Sequence, residues 1–243
     1  MEAVRRILIE GLDNTRDLGG FVTENRFVTK FNVFYRSESL FGLNEESVKK
    51  LIEMGITNCI DVHGPIRDGN DIHPFQNHNG CKYFCFPVLS DVIRHTGTEK
   101  DNFSEEDWIY VNTRMLEKDK VWIGTVISAC AATVGGTIIH CRTGKSRTSL
   151  ICMLLMLLAK IPSEDIIAEF ATTEIYMGRK YRALLKTSFH SPGFYKSPAF
   201  VMERTMEYLL KQYSSVENYL SVCGVSAESM EKIKKKFVAD QLW

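Results

Sequence analysis

Ile138-Ile139-His140-Cys141-Arg142-Thr143-Gly144-Lys145-Ser146-Arg147-Thr148-Ser149 is the stretch from which the fold is read. A short apolar run ends in a cysteine, a polar loop with one glycine follows, and an arginine stands six residues after the cysteine. A strongly apolar helical pattern, Leu150 to Ala159, comes next. Strand, tight loop and helix N-terminus form an anion-binding arrangement, because backbone N–H groups point into the loop and the helix dipole favours negative charge there. Arg142, Lys145 and Arg147 crowd that same N-terminus, where positive charge is unfavourable. An anionic ligand removes the conflict. The alternative, a core strand entering a core helix with an inert cysteine, leaves it standing.

Cys141 is the only good nucleophile in the loop, and a thiol must be ionised to attack. A free thiol, with a pKa of about 8.5, is only a few per cent thiolate at neutral pH. Bringing such a thiol down to about 5.5 takes roughly 4 kcal/mol. A helix terminus supplies at most about 2 kcal/mol of that, so the loop amides and Arg147 must supply the rest. The planar fork of Arg147 also suits two oxygens of a phosphate while Cys141 faces the phosphorus. Gly144 lets the backbone turn tightly towards the anion. Thr148 places a hydroxyl where it can bond the sulfur as the sulfur leaves. His140 either orients the loop from behind or is a buried histidine bonded to backbone.

Two similar motifs fail on spacing. A Walker loop needs glycine five residues before Gly144, and Ile139 stands there. Cys141-Arg142-Thr143-Gly144 looks like a rhodanese loop, but Arg147-Thr148 downstream gives the phosphatase spacing. His-Cys-x5-Arg-Thr resembles the signature of cysteine-dependent phosphatases, the tyrosine and dual-specificity superfamily.

Composition sets the bounds. The chain has 243 residues, 44% hydrophobic, with 30 basic and 30 acidic side chains and a formal net charge of zero. That is enough for a sizeable core, and the balance suggests no nucleic-acid partner. The start, Met1-Glu2-Ala3-Val4-Arg5-Arg6, has no long apolar run behind it, so neither a signal peptide nor a membrane span is expected. Seven scattered cysteines without an export signal point to a reducing cytoplasm. Cys81 and Cys85 alone do not make a zinc site. His63, His73 and His78 match no helical or finger spacing, so neither a metal nor a cofactor is expected.

Along the chain, Arg5 to Glu10, Phe27 to Tyr35, Thr57 to His63 and Lys82 to Val88 read as strands. The polar turn Asn14-Thr15-Arg16-Asp17-Leu18-Gly19-Gly20 suggests an ion pair between Arg16 and Asp17. Asn44 reads as the cap of a helix running to about Met54. Ser104 to Ala132 holds one or two helices, and Ser163 to Tyr176 another, with Ser163 as its cap. Phe200 to Gln212 and Ala227 to Phe237 close the chain as amphipathic helices, the last with a lysine cluster on a solvated face. Met177 to Ser197 is basic and aromatic without an acid. It is either a solvated helix face with a loop or a lid beside the site.

Asn-x-Arg-Asp-Leu-Gly-Gly from Asn14, Tyr35-Arg36-Ser37, the strand ending at Asp61 and the cysteine loop together resemble the bacterial and fungal tyrosine-phosphatase-like family. Tyr213-Ser214-Ser215-Val216-Glu217-Asn218-Tyr219-Leu220 with Gly224 is similar to that family's tail. The resemblance runs from Asn14 to about Lys236. It departs at His63, where the family usually has arginine, and at Ser146, where it often has aspartate. No repeat or low-complexity linker divides the chain, so residues 1–243 read as one domain, and the resemblance implies an α/β fold: a central, mostly parallel twisted sheet flanked by helices, with an added helical lid region. It implies two-step phosphate-monoester hydrolysis, with Cys141 as nucleophile and Arg147 as clamp. Arg142, Thr143, Gly144, Lys145, Ser146 and Thr148 then bind the substrate. The loop holds no carboxylic acid to protonate the leaving oxygen. Asp61, at the end of a strand beside that of Cys141, and Asp91, on a loop after another strand, are both candidates. Basic residues at the places of Arg142 and Lys145 bind extra ring phosphates in phosphoinositide-directed relatives. Phosphoinositides and inositol phosphates therefore compete with phosphotyrosine protein as substrates. A rhodanese-type sulfurtransferase and a catalytically weak phosphate-binding module are the readings of another class.

Overall fold

The structure, a computed structural model, describes residues 4–63, 72–76, 78–88, 103–187 and 190–239. Five strands make one sheet: β1 (Arg16–Asp17), β2 (Phe34–Ser37), β3 (Ile56–Asp61), β4 (Lys82–Cys85) and β5 (Gly136–His140), in the order β1-β2-β5-β3-β4. Only the β1–β2 pair is antiparallel. The expected mostly parallel α/β sheet is what forms. Successive residues alternate faces. Phe34, Ile60 and Ile139 enter the larger apolar core, whereas Tyr35, Cys59 and Ile138 enter the smaller one.

Eight α-helices lie among the described residues: α1 (Glu45–Glu53), α2 (Asp107–Lys118), α3 (Lys120–Ala132), α4 (Ser146–Leu158), α5 (Ser163–Leu184), α6 (Ala199–Tyr213), α7 (Val216–Val222) and α8 (Ala227–Phe237). Asn44 caps α1 as expected, its Oδ1 accepting the Ser47 N–H at 2.8 Å. α1 covers the smaller core with Val48 and Leu51. α4 fills the larger one. From Thr148 to Met156 every residue of α4 is buried, so its apolar surface is continuous all round, as in a central helix. None of the described helices is long and apolar enough to cross a membrane.

Local structure departs from the sequence reading where long-range contacts decide. Residues 5–10 form only isolated bridges, Arg6 with Arg16 and Ile9 with Leu12, and no strand. The residues expected as one strand from Phe27 divide into isolated bridges at Val28 and Thr29 and the strand proper at Phe34. Pro162, not Ser163, stands at the N-cap of α5, and α5 runs two turns beyond Tyr176. Lys236 leaves the solvated face of α8 and donates to the Cys130 and Thr133 carbonyls at the end of α3.

Candidate active site

β5 lies between β2 and β3, with His140 opposite Ser37 on one side and Asp61 on the other. The chain beyond it is therefore gripped from both flanks. The Ser39 N–H donates to the Arg142 carbonyl at 3.1 Å, and the Val62 N–H to the His140 carbonyl at 2.9 Å. Gly144 has φ +66°, and a Cβ there would lie 2.4 Å from the Ser37 carbonyl oxygen, so the turn requires glycine. Cys141 is buried at the base of the loop. α4 opens directly after it, with no acid in its first turn and no side-chain cap. α2, α3, α5 and α6 lack a side-chain cap as well, so what sets α4 apart is that its free N–H groups follow directly on the Cys141 loop.

Beneath the loop lies a buried charged network. Arg36 Nη2 donates to the Gly144 carbonyl and, at 2.6 Å, to Ser149 Oγ. Asn14 Nδ2 donates to the Thr143 carbonyl at 3.0 Å. Arg16 Nη1 donates to Asn14 Oδ1, and Arg16 Nε and Arg36 Nη1 each reach one oxygen of Glu169 at 2.5 Å. Two guanidiniums against one carboxylate leave a net positive charge under the loop. Burial alone would raise the Glu169 carboxyl, but Arg16 and Arg36 outweigh it and hold the group below its usual range. Burial pushes Arg16 down to about 10. The Arg16–Asp17 pair expected from sequence is not formed. Asp17 instead accepts the Gly19 and Asn32 N–H groups at 2.7 and 2.8 Å.

The loop's own side chains divide. Arg147, half-buried, donates Nη1 to the Val62 carbonyl at 3.4 Å and so lies along the end of β3. Arg142 is exposed and Thr143 half-buried. Thr148 Oγ1 is buried and has no hydrogen-bond partner among the described residues, leaving a hydroxyl to spare one residue past Arg147. Ser146 Oγ donates to Asn112 Oδ1 at 3.2 Å. Lys145, expected at the substrate, is engaged by other parts of the chain. Its ammonium donates to the Phe194 and Lys196 carbonyls and sits 3.8 Å over the Trp108 ring. Burial drives its pKa well below the usual lysine range. Lys145 therefore ties the segment 194–196 to the loop. A short 3₁₀ turn, Pro192–Tyr195, carries Phe194, on which His190 stacks at 4.1 Å. Three basic residues of the 177–197 stretch are paired with acids: Arg179 with Asp13, Lys180 with Glu38, Lys196 with Glu174.

Behind Cys141 lies an aromatic and titratable cluster. Asp61 is fully buried. Its Oδ2 accepts the Tyr83 hydroxyl at 2.7 Å and its Oδ1 the His63 N–H at 2.8 Å, with His140 Nε2 3.8 Å from Oδ1. Burial opposes its charge, but His140, Tyr83 and His63 together leave its pKa lowered. Burial, then the Arg147 guanidinium, pushes His63 down to about 4, so it is neutral beside the loop. His140 is fully buried, and its Nε2 lies 3.1 Å from His73 Nε2. Cys59 Sγ completes a group whose donor atoms all lie within 4.8 Å. Asp91 lies outside the described residues.

Sequence reasoning missed Glu169, and it weighed His73 only as a metal ligand with His63 and His78. Glu169 had a signal: it lies in the buried row of α5 with Ile166, Phe170 and Thr173, and an acid on an apolar stripe demands a buried cation. The pairing of His73 with His140 had none, because the neighbours of His73 come from β3, β4 and the end of β5.

Fold and site together define an α/β protein that sets one thiol under an uncapped helix N-terminus, over a positively charged floor. Residues 7–239 match the model of the tyrosine phosphatase family, and the chain belongs to that family and is a phosphatase. The sulfurtransferase alternative falls with that assignment. No curated protein matches the chain significantly. Among solved structures, the crystal structure of P. aeruginosa TpbA is similar at 13% identity and a TM-score of 0.38, covering 79% of this chain and 86% of that one.

Proposed function

We propose that the chain acts as one catalytic domain and hydrolyses phosphate monoesters through a cysteinyl-phosphate, with phosphotyrosine protein as substrate. The uncapped, acid-free N-terminus of α4 beside Cys141, above the Arg16–Arg36–Glu169 network, carries this reading. The Cys141 thiolate attacks phosphorus as the ester P–O bond breaks, and the leaving oxygen takes a proton from a carboxylic acid. Water then attacks the same phosphorus, gives its proton to the carboxylate, and expels the sulfur, to which Thr148 can donate. Arg147 and the α4 amides hold the non-bridging oxygens as charge builds.

Asp91 takes the part of the acid. Asp61 is held charged, with both oxygens already engaged, and supports the reading of an anchor that fixes the end of β3. A donor to the leaving group must instead start protonated and exposed to it. Phosphoinositides or inositol phosphates form the second reading, and the exposed Arg142 guanidinium favours it, although Lys145 no longer does. Seven free thiols suit a reducing compartment, and we place the protein in the cytoplasm.

The test is p-nitrophenyl phosphate hydrolysis by the wild type and Cys141→Ser, followed by phosphotyrosine peptide against phosphoinositide. Activity lost in Cys141→Ser, with a phosphoenzyme trapped in the wild type, is expected. Asp91→Asn should fail on poor leaving groups and recover on good ones. A wild type that binds phosphate but hydrolyses nothing would reduce the protein to a binding module.

A further inference from the structure

We propose that His73 is a positioning residue that sets the tautomer and orientation of His140, and through it the loop of Cys141; this rests on the chemistry proposed for Cys141. His73 is fully buried, its ring stacked on Tyr83 at 4.3 Å and met edge-on by Phe41 at 4.8 Å. The Phe75 N–H donates to His73 Nδ1 at 3.2 Å. A neutral imidazole carries one proton, so that acceptor role puts the His73 proton on Nε2. The resulting N–H faces His140 Nε2 at 3.1 Å. His140 Nε2 must therefore accept, and the single proton of His140 sits on Nδ1. A protonated His140 would oppose two N–H groups across that distance.

The same argument reads the Cys59–His73–His140 group as hydrogen-bonded rather than metal-binding. A ligating imidazole offers a lone pair at the metal-facing nitrogen and a proton at the other. His73 Nδ1, already accepting an amide, cannot be that other nitrogen.

The consequence reaches the nucleophile because His140 is the last residue of β5 and Cys141 the next. Among the described residues, the titratable groups facing the pair include Asp61 and Cys59 from β3 and Tyr83 from β4, with His63, itself beside Arg147, at the loop side. The Asp61 carboxylate, 3.8 Å from His140 Nε2, would favour a proton on that nitrogen. The His73 donor prevents it. Without the donor, the His140 proton is free to move to Nε2, facing Asp61, and the ring loses its fixed orientation beside Cys141.

His73→Phe keeps a ring against Tyr83 and removes the donor. His73→Gln returns an N–H to the same place. His73→Phe should lower kcat about tenfold, the effect of losing one hydrogen bond's worth of positioning, with KM changed less than about twofold. It should also move the acid limb of the kcat/KM profile on p-nitrophenyl phosphate. His73→Gln should restore both. Nitrogen-15 spectra of the wild type should show His140 protonated at Nδ1 and His73 at Nε2. An active wild type whose His73→Phe variant keeps kcat and pH profile, or a glutamine no better than phenylalanine, overturns the proposal. So does a wild-type spectrum with His73 protonated at Nδ1, even if no variant folds. An inactive wild type with the stated tautomers would instead remove the hydrolytic reading and leave the histidine pair intact.

Discussion

Replacing Glu169 with glutamine should be a costly conservative change, because it breaks a buried charged network. The carboxylate joins Arg16 and Arg36 with contacts of 2.5 Å on each oxygen, and all three side chains are 1–2% exposed. Glutamine preserves volume, but it removes the carboxylate that pairs with both guanidiniums and turns an N–H₂ group towards one of them. Breaking a buried pair by removing one partner costs about 3–5 kcal/mol. For a chain of this size that lowers the melting temperature by roughly 10 °C. The damage should reach the active site, since Arg36 also holds the Gly144 carbonyl and Ser149 Oγ. A misplacement of about 1 Å costs on the order of 100-fold in rate, so kcat should fall at least tenfold. Because the two arginines hold the Glu169 pKa low against burial, its stabilising contribution is full above the unfolded carboxylate pKa. It is lost as pH falls through the lower folded value. Acid should therefore unfold the wild type along a steeper curve than it does Glu169→Gln. Urea titration gives the stability difference from the midpoint at unchanged slope, and p-nitrophenyl phosphate turnover gives the rate. A variant within about 1 kcal/mol of wild type, below the cost of any broken buried pair, and with normal kcat would refute the account.

Gly144→Ala should abolish turnover, because the added Cβ meets the Ser37 carbonyl at 2.4 Å; a variant with measurable kcat would show that the loop relaxes around it. Lys145→Met should cost about 2 kcal/mol by leaving two carbonyls unpaired. It should leave the ratio of kcat/KM on polyphosphorylated to monophosphorylated substrates unchanged, whereas Arg142→Ala, if ring phosphates bind there, should lower that ratio. His63 is held neutral in the fold, its pKa pushed to about 4 by burial and Arg147. Its contribution is full above the unfolded value near 6.5 and is lost as pH falls from there towards 4, by up to about 3 kcal/mol. His63→Gln should flatten that part of the acid-unfolding curve, as fluorescence titration would report.

Some of this architecture is legible without coordinates because its causes are local. An apolar run into a cysteine, a glycine, and an apolar helix produces the same strand, loop and helix wherever the pattern occurs. The Asn44 cap and the Ala227–Phe237 helix follow for the same reason. The start of α5 at Ser163 is legible in the sequence, but its cap is not: Pro162 holds that place, and only backbone geometry separates a cap from a first helical residue. Arg5 to Glu10 had the pattern of a strand but formed only bridges, since a strand needs a partner as well as a sequence.

By itself, the order of residues determined the strand, the tight loop of Cys141 and the helix that opens after it, since backbone hydrogen bonding and apolar periodicity act within a few positions. Tertiary structure alone decided which charges meet. Glu169 lies 153 residues from Arg16 and 133 from Arg36, and His73 lies 67 from His140. Lys145, read from its neighbours as a phosphate ligand, is claimed by two carbonyls about fifty residues downstream. A charge removed from water must find its partner wherever the fold brings one, and no local pattern records where that will be.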